Sequence, residues 1–231
     1  MSFRFGAALT AAIIGLASPA DAQPALPSVR FTVFSPNPIE NVSFVPRVGA
    51  AAQKLVFYPT ARSPRYEYRG AMPLKFLDST TGAVVAEATI PAGIRDALLL
   101  FSAAAGASEK GIRYQIAVLD DGAVRHGPGG LAIINLSGLA LSGTVNQEAV
   151  TLIPGLNPTL AVGRSAKIAL STVFKNRTYQ SYAATTALKA KERVLLILFP
   201  PFYKGSLEVQ SRLLVDQPPG SAAAAPKRAE K

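Results

Sequence analysis

The chain contains a single histidine, so any acid–base chemistry that needs an imidazole must use His126. Asp120 and Asp121 precede this residue. A serine, a histidine and an aspartate together could catalyse hydrolysis. The Gly-x-Ser-x-Gly elbow that presents a serine nucleophile is absent, and the histidine lies in a glycine-rich turn. The sequence favours a solvated loop position for His126 and predicts that the protein is not an enzyme.

Paired carboxylates are a second possible source of chemistry, because a glycosidase uses two of them. The spacing of Glu87, Asp96, Asp120 and Asp121 singles out no pair, and Asp120-Asp121-Gly122 is typical of a turn. The chain has no cysteine and only one histidine, which excludes thiolate and histidine-rich metal centres, and the spacing of calcium-binding loops is missing. We therefore expect no catalytic residue, no cofactor and no metal ion.

Residues 62–70 could bind an anion, because guanidinium and phenol groups alternate there. In an extended segment Tyr66 and Tyr68 share one face, and Arg65 and Arg69 share the other. Arginine suits planar carboxylate or phosphate groups, and tyrosine can stack on rings. The alternative is an edge strand with its tyrosines in the core and its arginines in water, because charges protect sheet edges. The candidate anion-binding residues are Arg62, Arg65, Tyr66, Tyr68 and Arg69.

Positive charge is concentrated in the second half of the chain. The formal net charge is +10, from 24 basic and 14 acidic residues. Residues 151–205 hold 8 basic groups and 1 acidic group, whereas residues 79–150 hold 4 and 6. Such an excess attracts anionic polymers or phospholipid head groups through its long-range field, and the alternative is an ordinary solvated surface. The cations concerned are Arg164, Lys167, Lys175, Arg177, Lys189, Lys191 and Arg193.

Both ends of the chain differ from its middle. Residues 1–22 are typical of a signal peptide, because Arg4 precedes an apolar run and Ala20-Asp21-Ala22 provides small residues for cleavage before Gln23. No later apolar run reaches the length of a membrane helix. We therefore expect export to the periplasm or beyond, without a transmembrane segment. Residues 218–231 are rich in proline and alanine and are predicted to be a disordered tail.

The part of the chain between these ends predicts an all-β fold. Short β-branched and aromatic runs alternate with period two, and glycine or proline interrupts them about every ten residues. Many short strands at this spacing predict an antiparallel β-sandwich or barrel, and we expect the sandwich. The predicted strands are Arg30–Phe34, Asn41–Val45, Lys54–Tyr58, Pro73–Leu77, Val84–Ile90, Ala97–Phe101, Ile112–Leu119, Leu131–Leu136, Ala149–Ile153, Ala166–Phe174, Thr178–Ala183, Val194–Phe199 and Leu207–Val215.

A faint internal repeat predicts two tandem sandwich units. Ala97–Phe101 followed by Tyr114–Asp120 resembles Val194–Phe199 followed by Val209–Asp216. Both true duplication and chance recurrence of apolar strands are compatible with this likeness.

The predicted units are residues 23–121 and 130–217, with the boundary in the glycine-rich loop 121–130. Strands that end in Ile90-Pro91 and Ile153-Pro154 precede the two repeats. If these strands correspond, the second unit carries an inserted hairpin near residues 165–188.

One segment carries a resemblance to other proteins. Ile116–Ser137 is a strand ending in two aspartates, a Pro-Gly loop and an aliphatic strand ending Asn-Leu-Ser, and the turn Leu152–Gly155 follows later. Together these segments resemble exported bacterial β-sandwich proteins of no assigned function. The resemblance implies no activity and assigns no role to any residue.

We interpret the chain as an exported, non-catalytic β-sandwich protein with a binding or structural role in the bacterial cell envelope. Its expected partners are anionic envelope polymers or another protein, and no motif for reading a nucleic-acid sequence is present. Two alternatives stay open. One is a hydrolase of cell-wall or polysaccharide material, and the other is a subunit of a surface assembly that docks through unpaired strand edges.

Overall fold

The computed structural model describes residues 26–106 and 111–218, and within these ranges the chain forms seventeen strands and no helix. The predicted all-β class is confirmed. The predicted signal peptide, residues 1–22, and the predicted tail from residue 219 onward lie outside the described residues. No helix among the described residues has the length and hydrophobicity needed to cross a membrane.

Eight strands form the first sandwich. They are β1 Ser28–Phe34, β2 Val42–Phe44, β3 Gln53–Lys54, β4 Tyr66–Arg69, β5 Leu74–Asp78, β6 Val84–Ala88, β7 Asp96–Ala103 and β8 Tyr114–Asp120. Sheet A has the order β4-β1-β7-β8, and sheet B has the order β3-β2-β5-β6. Phe31 of sheet A meets Phe44 and Phe76 of sheet B edge to face, with ring centroids 5.1 and 6.2 Å apart.

Nine strands form the second sandwich. They are β9 Gly130–Asn135, β10 Leu141–Val145, β11 Glu148–Leu152, β12 Gly155–Leu156, β13 Leu160–Ala161, β14 Ser165–Phe174, β15 Arg177–Ala187, β16 Arg193–Phe199 and β17 Gln210–Asp216. Sheet C has the order β12-β9-β16-β17, with β13 also paired to β9, and sheet D has the order β11-β10-β14-β15.

The two sandwiches share one strand order. In sheet D the hairpin β14–β15 takes the place that β5–β6 takes in sheet B. The prediction of an inserted hairpin at residues 165–188 is therefore wrong. It aligned Ile90, which follows β6, with Ile153, which follows β11, and these two strands occupy different places in their sheets.

The central pairs of sheets A and C are parallel, although every other strand pair in the described ranges is antiparallel. Parallel strands are usually covered on both faces and read as continuous apolar runs. All six residues of β9 are buried, as are the first six of β16. A local alternation pattern identifies a strand but carries no information about the direction of its neighbour, so the sequence predicted an entirely antiparallel sandwich.

Sheets A and C pack against each other and join the two sandwiches. Ala97, Leu99 and Phe101 point into the first sandwich, while Leu98 and Leu100 point the opposite way because side chains alternate along a strand. The two outward-facing leucines lie in a separate apolar layer between the sheets. Its buried members are Phe34, Leu98, Leu100, Ala132, Ile134, Leu195, Ile197 and Leu214.

Strand β10 was not predicted from the sequence, because Ser142, Gly143 and Thr144 interrupt its apolar pattern. The glycine is required by the neighbouring strand. A Cβ atom at Gly143 would lie 2.0 Å from the carbonyl oxygen of Ala169 on β14. A glycine within a strand often marks such a close backbone approach.

We expect Leu195→Ala to lower the free energy of unfolding by about 2–5 kcal/mol, because it opens a cavity in the layer between sheets A and C. Val124→Ala is the matched control. Its side chain is fully exposed, so its effect should stay within about 0.5 kcal/mol. Urea unfolding measures both variants. A loss below about 1 kcal/mol for Leu195→Ala would show that this layer contributes little to stability.

Candidate functional site

The structure separates the five residues that the sequence grouped as an anion-binding site. Tyr66 lies in the core of the first sandwich, with its ring centroid 5.5 Å from that of Phe31. Burial raises the pKa of Tyr66, although its hydroxyl accepts a hydrogen bond from the Val56 backbone N–H at 2.8 Å. This phenol is therefore not available to stack on a ligand.

The other members of the group face different surroundings. Tyr68 is half-buried against the same core, and its hydroxyl donates a hydrogen bond to the carbonyl oxygen of Ala71. Arg65 directly precedes β4 and Arg69 ends it, and both side chains are exposed. Strand β4 is an edge strand of sheet A. This arrangement matches the edge-strand alternative. Anion binding by the two exposed arginines stays a prediction.

Arg62 belongs instead to a buried charge cluster, which we define as Arg62, Asp121, His126, Arg193 and Asp216. Arg62 comes from the loop between β3 and β4, and Asp121 directly follows β8. Arg193 begins β16, and Asp216 ends the adjacent β17. The cluster therefore combines groups from both sandwiches at the rim of the apolar layer between sheets A and C.

Arg193 is the centre of this cluster and is completely buried. Its Nε and Nη2 atoms donate hydrogen bonds to Oδ1 and Oδ2 of Asp216 at 2.9 and 3.2 Å. Nη2 also donates to Asp121 Oδ2 at 2.7 Å, and Nη1 donates to the carbonyl oxygens of Asp121 and His126, each at 2.9 Å. Every nitrogen of the guanidinium has a partner, which a buried arginine requires.

Two more groups complete the balance of charge. Arg62 forms ion pairs with Asp121 and with Asp216, the latter at 3.2 Å between Nε and Oδ2. The Nδ1 atom of His126 lies 3.8 Å from Asp121 Oδ1. The two guanidinium groups thus face two carboxylates, so the net charge of the cluster is zero when the His126 ring is uncharged.

The electrostatic environment favours the charged forms of Asp121 and Arg193. Burial alone would raise the pKa of Asp121, but the His126 ring and the charges of Arg62 and Arg193 outweigh it and lower that pKa. Burial alone would lower the pKa of Arg193, but Asp216 and Asp121 raise it above its usual value. Opposite charges at short distance stabilise the ionised forms in this way.

From the sequence, His126 is predicted to be a solvated loop residue and Arg193 a surface cation, and both predictions are wrong because both side chains are buried. The sequence presents Asp121 as a possible catalyst and as part of a turn. One available signal was the position of Arg193, because a charge directly before the apolar run of β16 must be paired or reach water. Its partners could not be read from the sequence, since Asp121 lies 72 residues away.

A cleft of about 480 Å³ adjoins the cluster between the two sandwiches. Its lining includes Asp120, Arg125 and His126 together with five residues between positions 153 and 159. Within the described residues, His126 Nε2 lies 3.3 Å from the carbonyl oxygen of Gly130 and makes no hydrogen bond to a hydroxyl group. The arrangement can hold a small polar ligand at Asp120 and Arg125, but it does not activate a serine.

The cations of residues 151–205 do not form one continuous patch. Arg193 is buried, whereas the remaining six in the group identified from the sequence are exposed. Arg164, Lys189 and Lys191 lie on two adjacent loops, because the Leu188 backbone N–H donates to the carbonyl oxygen of Arg164 at 2.8 Å. We call these three residues the cationic loop pair. Within the described ranges, none of the six exposed cations forms an ion pair.

Comparison with known proteins adds no assignment: the chain matches no protein-family model, and it matches no curated protein. In the described part of the chain, no three histidine, aspartate or glutamate side chains are grouped so that they could hold a metal ion.

We expect Arg193→Met to lower the free energy of unfolding by about 3–5 kcal/mol, because it leaves the buried carboxylate of Asp121 and the partly buried carboxylate of Asp216 with one guanidinium. Arg30→Met is the matched control. Arg30 pairs with Asp96 at 2.8 Å but its side chain is 46% exposed, so its loss should cost about 1 kcal/mol or less. Urea unfolding at neutral pH compares the two. Equal losses would show that burial does not distinguish these ion pairs.

The lowered pKa of Asp121 predicts a dependence of stability on pH. The stabilising contribution is complete above the unfolded-state pKa of about 3.9 and is lost as the pH falls below it. The stability difference between the wild type and Asp121→Asn should therefore be largest above about pH 5 and should shrink below about pH 4. Urea unfolding across this range measures it. A difference that does not vary with pH would contradict the pairing.

Proposed function

We propose that the protein is an exported, non-catalytic binding protein of the cell envelope, and that the cationic loop pair holds it to an anionic polymer. One observation carries the proposal. Three exposed cations converge on two adjacent loops of the second sandwich, and none of them is neutralised by a carboxylate in the described residues. Such a surface attracts polyanions through its long-range field.

The surroundings of these loops support the same interpretation. Lys167 lies near the start of β14 and adds a fourth exposed cation close to Arg164. Glu192 is the nearby acidic residue, and its carboxylate accepts a hydrogen bond from the backbone N–H of Lys189 at 2.8 Å. This contact shapes the loop and leaves the lysine ammonium groups in water. The positive field at this end of the sandwich is therefore only partly offset.

The cleft between the sandwiches supports a second candidate, the hydrolase. Its volume is in the range of small-ligand sites, and Arg125 Nε lies 3.9 Å from Asp120 Oδ2 at its wall. A screen against cell-wall and polysaccharide substrates tests this candidate, with Asp120→Asn as the variant. Hydrolysis that is lost in Asp120→Asn would replace the binding proposal with a catalytic one.

The binding proposal predicts that the protein binds polygalacturonate, a carboxylated glycan, and that affinity falls as salt rises from about 0.05 to 0.5 M. Replacing Arg164, Lys189 and Lys191 together with glutamine should weaken binding by about tenfold at low salt. The matched variant replaces three exposed arginines of the first sandwich, Arg65, Arg69 and Arg95, with glutamine. It should bind nearly as well as the wild type.

Isothermal titration or affinity chromatography measures these affinities. Binding that is insensitive to salt, or absent, would exclude the electrostatic interpretation. A stronger loss in the variant of the first sandwich would instead assign anion binding to the exposed arginines of β4 and its surroundings.

A further inference from the structure

The end of the second sandwich opposite the cationic loop pair is unusually apolar. The exposed large apolar side chains of this sandwich are Leu136, Ile153, Val173, Phe174, Tyr179, Phe202, Tyr203 and Val215. Ile153 lies at the cleft, and Val215 lies near the start of β16. The other six occupy this one end, and we call them the apolar end.

Strand directions place these six residues together. The ends of β9 and β16 lie side by side, because Leu198 pairs with Asn135 in a parallel arrangement. The turn from β14 to β15 lies beside the loop that follows β9. The Thr172 hydroxyl donates to the carbonyl oxygen of Ala140 at 2.8 Å. The loop between β16 and β17 reaches the same region, since the Val209 N–H donates to the carbonyl oxygen of Ser181 at 3.1 Å.

The four most exposed residues of the apolar end lie on two features. The first is the tip of the β14–β15 hairpin, where Val173 and Phe174 are 66% and 50% exposed. The second is the loop after β16, where Phe202 and Tyr203 are 74% and 73% exposed and their rings meet edge to face at 4.9 Å. Apolar surface of this kind is costly in water and marks a contact site.

The hairpin tip has a defined shape. Lys175 and Asn176 have φ angles of 48° and 58°, which are typical of a tight two-residue turn that continues the strand twist. The Lys175 ammonium lies 5.4 Å from the centre of the Phe174 ring. The strand pairing holds the apolar and cationic side chains of the tip close to one another before any partner binds.

The charges at this end are also one-sided. Lys175, Arg177 and Lys204 are exposed next to the apolar residues, and Glu208 is the acidic side chain of this region in the described chain. Exposed aromatic residues flanked by lysine and arginine match the chemistry of a membrane interface, where rings enter the head-group level and cations meet lipid phosphates. A soluble polyanion would satisfy the cations but would leave the aromatic rings in water.

We propose that the apolar end inserts into the head-group region of an anionic phospholipid bilayer. The contact is shallow, about 5–10 Å deep, because the side chains at the tips enter while the backbone stays where water can satisfy it. The inference goes beyond the proposed function, since it rests on other residues at the opposite end of the sandwich. Together the two ends would place the protein between a membrane and an anionic polymer.

Vesicle sedimentation tests the insertion. The wild type should bind vesicles made of equal parts of phosphatidylglycerol and phosphatidylcholine, and it should bind pure phosphatidylcholine at least about tenfold more weakly. Replacing Phe174, Phe202 and Tyr203 with serine should weaken binding to the anionic vesicles by about tenfold or more and leave polygalacturonate binding unchanged. All proteins compared carry the same N-terminus, so that residues 1–22 contribute equally.

A charge variant and a loop variant separate the two ends. Replacing Lys175, Arg177 and Lys204 with glutamine should weaken vesicle binding and increase its tolerance of salt. The glutamine variant of the cationic loop pair should keep vesicle binding while it loses polygalacturonate binding. Failure of the glycan test with normal vesicle binding would overturn only the proposed function, and the reverse result would overturn only the insertion.

Fluorescence gives a direct readout of depth, because the chain contains no tryptophan. Phe202→Trp should show emission at shorter wavelength with anionic vesicles and quenching by brominated lipid chains. Val124→Trp, at a fully exposed position in the loop between the sandwiches, should show neither. Vesicle binding without a shift at position 202, or serine variants that bind as the wild type does, would overturn insertion. Elution of the wild type as a dimer and of the serine variant as a monomer would assign this end to a second copy.

Discussion

The contact between sheets A and C is the interaction on which the rest of the structure depends. Each of these sheets has apolar side chains on both faces, so neither can be stable with only one face covered. One face of each packs within its own sandwich, and the other face packs on the neighbouring sheet. Because apolar area removed from water is a main source of stability, this shared layer makes the two sandwiches energetically dependent on each other.

The buried charge cluster belongs at the rim of this layer for an electrostatic reason. Arg62, Arg193 and Asp121 are buried and Asp216 is partly buried, and the ion pairs between the two guanidinium groups and the two carboxylates offset the loss of hydration. Asp121 follows the last strand of sheet A, and Asp216 ends the last strand of sheet C, so the two carboxylates occupy corresponding positions in the repeated strand order.

The strand order also explains how one sandwich can present two different surfaces. Loops at one end of the second sandwich carry cations, and the hairpin tip and loop at the opposite end carry aromatic side chains as well as cations. Neither set contributes to the cores, which are filled by the alternate residues of the strands. The loops can therefore serve binding while the sheets hold them at fixed positions, which is a common division of roles.

Alternating apolar residues such as those of β14, and the continuous runs of β7 and β16, determined the all-β class by themselves, because the period of side chains along a strand is a local property. The sequence also contained the likeness between β7–β8 and β16–β17. Only the tertiary structure decided that β1 and β7 are parallel, that Arg62 and Arg193 are buried, and that Phe174 and Phe202 share one end. These facts depend on contacts between residues far apart in the chain, and such contacts leave no periodic pattern in a single sequence.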